Sequence, residues 1–461
     1  MVKGKGVLKP YVKCIGHSAI GVTQSCYYVR YQKFAILLDA GIYQEADVLT
    51  NYKTNKDFLK KIKAREIDYI ILSHVHQDHC GMVPALYAKG CQAHLIVPTG
   101  SKPFLKLLWQ DSLKILQSDC LKITNKHGIS ASPFYTEEDI DNTLNRIIEV
   151  DREMTLTQGL KLNYYGANHI IHAKQLVLTM GEGCYAKRLG FTGDIGGKET
   201  SPYADIRETL PMVNVLLSEN TYNQPKRTNK AYDRQKDLDK LETIINERHR
   251  VLIPCFSLGR TQIMISILKL LWDEGRIQDI PVIVDSPLAQ KICNIWPTKL
   301  WEDIMKWKNL IFLNDMEETY NWQKNGQPCI VISASGFLSG GKILSWLQAE
   351  LPNKTTHICF CGYSGENNLA SQIRSKQKTV VVNGVEVENN ANITELVSFS
   401  SHASYEELLD YLLECRYNKV ALVHGDNRYK PQFSQTLQNA LVEQGESARV
   451  VCVNEDTKIV I

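Results

Sequence analysis

Residues 69–79 read YIILSHVHQDH, an apolar run that ends in three histidines and an aspartate. The apolar part predicts a buried strand, and the two-residue period of a strand would place His74 and His76 on one face of its end. Asp78 and His79 would then come from the turn into a helix, which the segment GMVPALYAK (81–89) favours. Imidazole nitrogens and carboxylate oxygens are the ligands of catalytic zinc sites, so this stretch predicts a metal centre.

This histidine cluster is specific, whereas most other histidines carry no such signal. The chain has 12 histidines in 461 residues, and three at these offsets would arise by chance with a probability of order ~0.01. We interpret the isolated histidines as ordinary surface or core residues; they are His17, His94, His127, His172, His249 and His357.

Composition indicates an ordinary globular protein, with 44% hydrophobic and 22% charged residues. The net charge of only +3 excludes a protein that holds nucleic acid by global charge, so any site for a polyanion must be a local concentration of basic residues. The 13 cysteines are odd in number and form no C-x-x-C pair, which argues against a secreted disulfide framework. No apolar run suggests a signal peptide or a membrane span, so we expect a cytoplasmic protein in a reducing environment, with no membrane partner.

The order of predicted elements indicates more than one domain. Short apolar strands occupy the first half, and the polar stretch 220–234 then interrupts the pattern. Beyond it, strands alternate with helices of 10 to 15 residues, which predicts βαβ units and a parallel sheet. The segment VVVNGVEV (380–387) predicts a hairpin, because Asn383 and Gly384 can adopt the positive φ angles of a type I′ turn.

From about Tyr11 to Val453, the sequence resembles the metallo-β-lactamase superfamily, and within it the β-CASP nucleic-acid nucleases. The resemblance is strongest to the branch of the mRNA 3′-end cleavage endonuclease and its archaeal and bacterial relatives. The superfamily motifs resemble LLDAG with Asp39, HVHQDH itself, YGANHIIHA with His169, and FTGD with Asp194. The motifs of the nuclease branch resemble SENTY with Glu219, FSSHAS with His402, and LVHGD with His424.

This resemblance implies two zinc ions per chain. The first would be held by His74, His76 and His169, the second by Asp78, His79 and His424, and Asp194 would bridge them. Two zinc ions roughly 3.5 to 4 Å apart suit cleavage of a phosphodiester bond through a metal-bound hydroxide.

The resemblance also implies roles beyond the ligands. His402 would be the general acid, Glu219 would orient it and raise its pKa, and Asp78 would belong to the catalytic group. Asp39 would fix a ligand histidine rather than bind metal itself. The open alternatives are that His402 only packs or caps a helix, and that Glu219 is an ordinary carboxylate at a strand end.

Three residues depart from the family pattern. Asn168 and His172 stand near His169 where the family usually has Gly, and Ser404 follows His402 where it usually has Asp. The first two bear on the placement of His169, and the third on how His402 is held.

The segment GFLSGGKI (336–343) satisfies the G-x-x-x-x-G-K pattern of a nucleotide-binding loop. Ile343, however, stands where that loop needs a Ser or Thr hydroxyl for Mg²⁺, so we do not expect ATP binding. A loop of small residues can still offer backbone N–H groups to a phosphate of the substrate. The residues assigned to this role are Ser335, Gly336, Gly340, Gly341 and Arg260, with a solvated charge at a helix start as the alternative for Arg260.

Two further groups could contact nucleic acid. Four tryptophans could stack on single-stranded bases, although packing in a core is the preferred interpretation; they are Trp296, Trp301, Trp307 and Trp322. A basic stretch could capture RNA, with a solvated loop as the default; it comprises Lys226, Arg227, Lys230, Arg234 and Lys236.

We therefore predict an αββα metallo-β-lactamase sandwich formed by residues 1–212 and 394–461, with an α/β β-CASP domain inserted at 213–393. The predicted function is zinc-dependent cleavage of single-stranded RNA by an endonuclease, with 5′-exonuclease activity left open. A DNA nuclease of the same family is the main alternative, disfavoured because His424 goes with RNA processing in the family. A thioester or lactone hydrolase and a non-catalytic RNA-binding relative are further alternatives. A homodimer or a processing-complex partner also stays open.

Overall fold

A computed structural model describes residues 9–45, 47–198, 203–225, 233–247, 249–362 and 368–461. Lys226, Arg227 and Lys230 of the basic stretch lie outside the described residues. Contacts divide the chain into unit 1, formed by 1–199, 204–229 and 402–461, and unit 2, formed by 200–203 and 230–401. Unit 2 is thus an insertion in the sequence of unit 1.

Strands and helices of unit 1 before the insertion are given first. The strands are β1 Tyr11–Cys14, β2 Tyr27–Tyr31, β3 Phe34–Leu38, β4 Tyr69–Ile71, β5 His94–Pro98, β6 Ile147–Val150, β7 Glu153–Thr157, β8 Leu160–Gly166, β9 Lys174–Met180, β10 Lys187–Phe191 and β11 Val213–Ser218. The helices are α1 Val48–Lys61, α2 Gln77–Cys80, α3 Val83–Ala88, α4 Lys102–His127 and α5 Glu137–Leu144.

Unit 2 and the last segment of unit 1 contain the remaining elements. The strands of unit 2 are β12 Arg250–Pro254, β13 Val282–Asp285, β14 Leu310–Phe312, β15 Cys329–Ser333, β16 Thr356–Phe360, β17 Thr379–Val382, β18 Val385–Glu388 and β19 Asn392–Glu395. Its helices are α6 Arg234–Glu247, α7 Arg260–Asp273, α8 Pro287–Asn294, α9 Lys299–Met305, α10 Met316–Lys324, α11 Ile343–Glu350 and α12 Leu369–Arg374. Unit 1 then ends with α13 Tyr405–Glu414, β20 Tyr417–Leu422, α14 Lys430–Glu443, β21 Arg449–Cys452 and β22 Lys458–Val460.

Unit 1 is a sandwich of two sheets, in agreement with the predicted αββα fold. The first sheet has the order β22-β1-β2-β3-β4-β5-β6, and the second has the order β21-β20-β11-β10-β9-β8-β7. Buried side chains of both sheets form one hydrophobic cluster. Tyr27 of the first sheet and Phe191 of the second meet edge to face, with ring centroids 5.1 Å apart. Burial of this shared apolar surface is the main force that holds the two sheets together.

Unit 2 contains a six-stranded sheet of order β14-β13-β15-β12-β16-β19, and its pairings are parallel. The predicted hairpin is present as β17 and β18, and the φ angles of Asn383 and Gly384 are 51° and 78°, as the turn requires. Trp296, Trp301 and Trp307 are buried, which confirms core packing for these three. None of the helices in the described ranges combines the length and apolar character needed to cross a bilayer.

The division by contacts differs from the sequence-based boundaries at 212/213 and 393/394. Strand β11 pairs with β10 and β20 in the second sheet of unit 1, although its residues were assigned to the insertion. Strand β19 extends to Glu395 and pairs with β16 in unit 2. Both strands are short apolar or alternating runs, and a local pattern does not reveal which sheet completes their hydrogen bonds.

Candidate metal centre

The predicted ligands follow strand ends that meet at one edge of the sandwich. Strand β4 ends at Ile71, earlier than predicted, so His74 and His76 lie in the loop after the strand rather than on its face. His76 is the residue before α2, and α2 carries Asp78 and His79. A short loop can turn its side chains toward a common point, which a continued strand could not do for consecutive ligands.

The first cluster joins three histidines and an aspartate. The Nε2 atoms of His74 and His169 lie 3.3 Å and 3.1 Å from Nδ1 of His76. The same two Nε2 atoms lie 3.8 Å and 3.7 Å from Oδ2 of Asp194. One potential ligand atom from each of the four residues lies within 4.8 Å of all the others, a spacing that fits one metal ion.

The second cluster uses the other oxygen of Asp194. Oδ1 of Asp194 lies 3.3 Å from Nε2 of His79, and Oδ2 of Asp78 lies 3.4 Å from Nε2 of His424. These four residues again place one ligand atom each within 4.8 Å of one another. Because Asp194 belongs to both groups, the seven predicted ligands form two adjoining clusters around one carboxylate.

Unsatisfied buried atoms indicate that the second cluster fits a cation. Nε2 of His79, Oδ1 of Asp194 and Nε2 of His424 are buried and have no hydrogen-bond partner among the described residues. Such atoms are costly unless something binds them. These atoms belong to neighbouring side chains, and a cation between them would bind all three at once.

The protonation states in the clusters also suit metal binding. Burial lowers the pKa of His76 to about 4, so its imidazole is neutral at physiological pH. Burial raises the pKa of Asp78, but the charge of His79 and a hydrogen bond with His424 outweigh this effect and hold that pKa at about 2. Burial lowers the pKa of His79, but the surrounding carboxylates, Asp194 foremost, raise it well above its ordinary value. This excess of negative charge around His79 is what a cation would neutralise.

Asp39 lies outside both clusters and orients His79. It accepts hydrogen bonds from the backbone N–H and the hydroxyl of Ser73, both at 2.8 Å, and its Oδ2 lies 2.7 Å from Nδ1 of His79. Nε2 of His79 is thereby directed to the second cluster. Thr221 has a similar position behind His424, with its hydroxyl 3.0 Å from Nδ1 of that histidine. Sequence reasoning missed Thr221, although it stands two residues after Glu219 in the SENTY motif.

His402 and Glu219 form a pair beside the first cluster. Nδ1 of His402 lies 3.1 Å from Oε2 of Glu219, and Nε2 of His402 lies 4.0 Å from Oδ2 of Asp194. Burial lowers the pKa of His402, but the charge and hydrogen bond of Glu219 outweigh this effect, so the net pKa is raised. Glu219 is held in turn by the backbone N–H of Ile195. The pair can therefore hold a proton on the imidazole.

The departures from the family pattern have local explanations. Asn168 and His172 have φ angles of 54° and 59°, in the left-handed region that Gly occupies at no steric cost. Asn168 also donates from Nδ2 to the carbonyl of Gly197. Ser404 is the N-cap of α13: its hydroxyl accepts from the N–H of Glu407, and the carboxylate of Glu407 accepts from the N–H of Ser404. Ser and Asp are equivalent N-caps, so this substitution preserves the start of the helix.

The small-residue loop of unit 2 is not a nucleotide-binding loop. The ammonium of Lys342 lies 2.8 Å from Oδ1 of the buried Asp285, so it is not available to a phosphate. The N–H of Ser335 donates to the carbonyl of Gly340, inside the loop itself. A side chain at Gly341 would collide with the backbone of Ala334, which explains Gly there by space rather than by ligand binding.

The predicted phosphate-binding residues separate into two groups. Gly336 and Arg260 line a common pocket at the end of the parallel sheet. Ser335, Gly340 and Gly341 are not among the residues that line it. Of the basic stretch, Arg234 opens helix α6, and Lys236 is exposed within that helix.

Comparison with known proteins agrees with this architecture. A model of the metallo-β-lactamase superfamily matches residues 19–157, a Beta-Casp domain model matches 261–373, and a model of the Zn-dependent metallo-hydrolase RNA specificity domain matches 386–451.

Similar proteins cover most of the chain. A ribonuclease of Thermus thermophilus is 27% identical over 85% of this chain and 88% of its own length. An RNase J-like protein of Methanocaldococcus jannaschii is 24% identical over 91% of this chain and 94% of its own length. The transcription termination factor FttA of the same organism is 25% identical over 92% of this chain and 68% of its own length.

Among solved structures, a protein of unknown function from Enterococcus faecalis V583 aligns with a TM-score of 0.57. It is 13% identical, and the alignment covers 98% of this chain and 100% of that one, so it supports the fold alone. The sandwich, the insertion, the two histidine and aspartate clusters and the three domain matches lead to one conclusion: the chain belongs to the metallo-β-lactamase superfamily, in the branch that carries an inserted β-CASP domain.

Proposed function

We propose that this protein is a zinc-dependent ribonuclease that cleaves phosphodiester bonds of single-stranded RNA and holds two zinc ions per chain. The observation that carries the proposal is the pair of clusters that share Asp194. When bound, two zinc ions would supply a nucleophile at neutral pH and Lewis-acid stabilisation of charge on the phosphate. The imidazole and carboxylate ligands suit zinc, which prefers nitrogen and oxygen donors of this kind in catalytic sites.

His402 is the residue proposed to protonate the leaving 3′-oxygen. Its side chain is 18% exposed, whereas that of Glu219 is 2% exposed, so the imidazole is the member of the pair that a substrate can reach. Glu219 holds Nδ1 and stabilises the protonated ring, which leaves Nε2 as the atom that can donate a proton. Asp78, fixed beside His79 and His424, is assigned as a ligand that helps to position the reacting phosphate.

RNA is favoured over DNA by the comparisons. The last third of the chain matches a domain described by its RNA specificity, and the similar proteins include a ribonuclease and an RNase J-like protein. The chemistry at phosphorus is the same for both nucleic acids, so the site geometry does not discriminate between them. A DNA nuclease and a non-catalytic RNA-binding protein are the alternatives that an experiment must separate.

Cleavage assays on labelled oligonucleotides test the proposal. Purified protein is incubated with RNA and DNA of one sequence, first as isolated, then after treatment with a chelator, and again after zinc is restored. We expect cleavage of RNA that is lost on chelation and returns with zinc, and little cleavage of DNA. Preferential cleavage of DNA would contradict the substrate assignment, and binding of RNA without cleavage by zinc-loaded protein would contradict the catalytic one. A circular RNA adds a test of mode, because only an endonuclease can open it.

A further inference from the structure

Unit 2 contains a pocket at the carboxyl ends of three neighbouring strands, β15, β12 and β16. Its wall includes Phe256 after β12, Gly336 after β15 and Gly362 after β16, together with Arg260 at the first position of α7. The chain leaves β12 toward β13 and leaves β15 toward β16, in opposite directions along the sheet. Ligands of open parallel sheets bind at such reversal points, outside the carboxyl ends of the strands.

Arg260 is a buried charge without a counter-charge. The residue is only 8% exposed, and its Nε has no hydrogen-bond partner among the described residues. No carboxylate in the described part of the chain forms an ion pair with it. Guanidinium groups are rarely buried unless they are paired, because removal of the charge from water is costly. A ligand with negative charge would supply the missing partner.

The groups around Arg260 do not neutralise it. Burial raises the pKa of Cys361 to about 12, even though the charge of Arg260 lowers it, so this thiol is neutral at physiological pH. Asp237 is close enough to influence Cys361, but one of its oxygens accepts from Ser398 and the other from Lys240. The pocket therefore presents a net positive charge.

Gly362 allows the guanidinium its position. A Cβ atom at Gly362 would lie 2.2 Å from Nη1 of Arg260, and the φ angle of this glycine is 140°. Any larger residue would displace the guanidinium from the pocket wall. The close approach of backbone and guanidinium fits a preformed site for a small ligand.

We propose that this pocket binds a phosphate group through the guanidinium of Arg260 and the N-terminal end of α7. Arginine presents a planar set of donors that matches the oxygens of phosphate, and the first turn of a helix of 14 residues adds favourable dipoles. The site is separate in its residues from the two metal clusters. That its occupant is a backbone phosphate of RNA rests on the proposed function, whereas binding of free phosphate does not.

Titration calorimetry with inorganic phosphate tests the pocket in the full chain, both zinc-loaded and after chelation. Circular dichroism checks that each sample is folded. We expect the chelated wild-type protein to bind phosphate, and Arg260→Gln to weaken this binding by about tenfold or more through loss of charge-assisted hydrogen bonds. Arg260→Lys should be intermediate, because it keeps the charge and loses the fork. Lys299→Gln, which removes an exposed charge from the same unit, should bind as the wild type does.

Gly362→Ala provides a second variant that keeps the arginine but shifts it, and it too should weaken binding. Wild-type affinity in Arg260→Gln, or no phosphate binding by folded wild-type protein, would overturn the proposal. A 2′-O-methyl RNA without terminal phosphates then identifies the source. Competition with inorganic phosphate supports a backbone phosphate, and binding of free phosphate alone overturns that part. These readouts involve no cleavage, so they stand or fall independently of nuclease activity.

Discussion

His402 and Glu219 are 183 residues apart in the sequence, yet Nδ1 of the histidine lies 3.1 Å from Oε2 of the glutamate. Strand β11 presents Glu219 at its end, and the loop before α13 presents His402. The carboxylate is anchored by the N–H of Ile195, so the glutamate cannot rotate freely away from the ring. The remaining nitrogen of His402 points toward Asp194, 4.0 Å from Oδ2. This arrangement orients a protonated imidazole toward the shared carboxylate of the metal clusters.

His402→Ala should reduce RNA cleavage by ~10² to 10⁴-fold, the loss typical of a missing general acid. Zinc content and RNA binding should change little, because His402 is assigned to proton transfer and not to either set of zinc ligands. Single-turnover cleavage, elemental analysis and RNA binding measure the three properties. His127→Ala, at the exposed end of α4, is the matched control and should cleave normally. Wild-type turnover in His402→Ala would refute the assignment.

Asp194→Asn should lower both zinc content and cleavage rate. The substitution keeps the shape of the side chain but removes the negative charge that both clusters share. Asp205→Asn offers a control, because Asp205 pairs with Lys174 outside the clusters. Zinc per chain is measured by elemental analysis after gel filtration. Full occupancy of both metals in Asp194→Asn would count against a bridging role.

His424→Ala should lose one zinc ion preferentially. His424 belongs only to the second cluster, whereas the first draws on His74, His76, His169 and Asp194. We expect about one zinc per chain, a preserved fold by circular dichroism, and strongly reduced cleavage. Retention of two zinc ions would show that His424 is not a ligand.

The local part of the site could be predicted from the sequence, and the distant part depended on family resemblance. HVHQDH concentrates four candidate ligands in six residues, so its chemistry is visible without a fold. The pairing of Glu219 with His402 is not visible in this way, since no local pattern links residues so far apart. Thr221 escaped notice because a single threonine has no distinctive spacing. The placement of β11 was wrong for a similar reason: a buried parallel strand reads alike in either unit.

Asn168→Ala and Asn168→Gly form a matched pair that tests the backbone beside His169. Both variants lose the hydrogen bond from Nδ2 to the carbonyl of Gly197. Only Ala adds the steric cost of a φ angle of 54°, about 1 kcal/mol or more for a residue with a Cβ atom. Asn168→Gly should therefore have the higher free energy of unfolding, measured with urea. Equal stability of the two variants would indicate that the left-handed conformation is not imposed by the fold.

Lys430 predicts a dependence of stability on pH. It is fully buried at the start of α14, and its ammonium donates to the carbonyls of Ala19 and Val453. Burial lowers its pKa to about 8, against the opposing influence of Cys452, Cys14 and Asp426. The unfolded chain should bind this proton below pH ~10.4. Between these two values the unfolded state holds more protons than the folded state, so the free energy of unfolding should rise with pH.

The slope contributed by Lys430 should reach at most about 1.4 kcal/mol per pH unit between pH 8 and about 10.4, and vanish below and above that window. Lys430→Met removes the titrating group, so the difference between wild-type and variant unfolding free energies should depend on pH only in this window. Urea unfolding at a series of pH values measures it, and exposed Lys299→Met serves as the control with no such difference. The comparison uses slopes, because the methionine variant also leaves two carbonyls without their donor and is less stable throughout. Parallel curves for wild type and Lys430→Met would show that the lysine keeps its ordinary pKa in the folded protein.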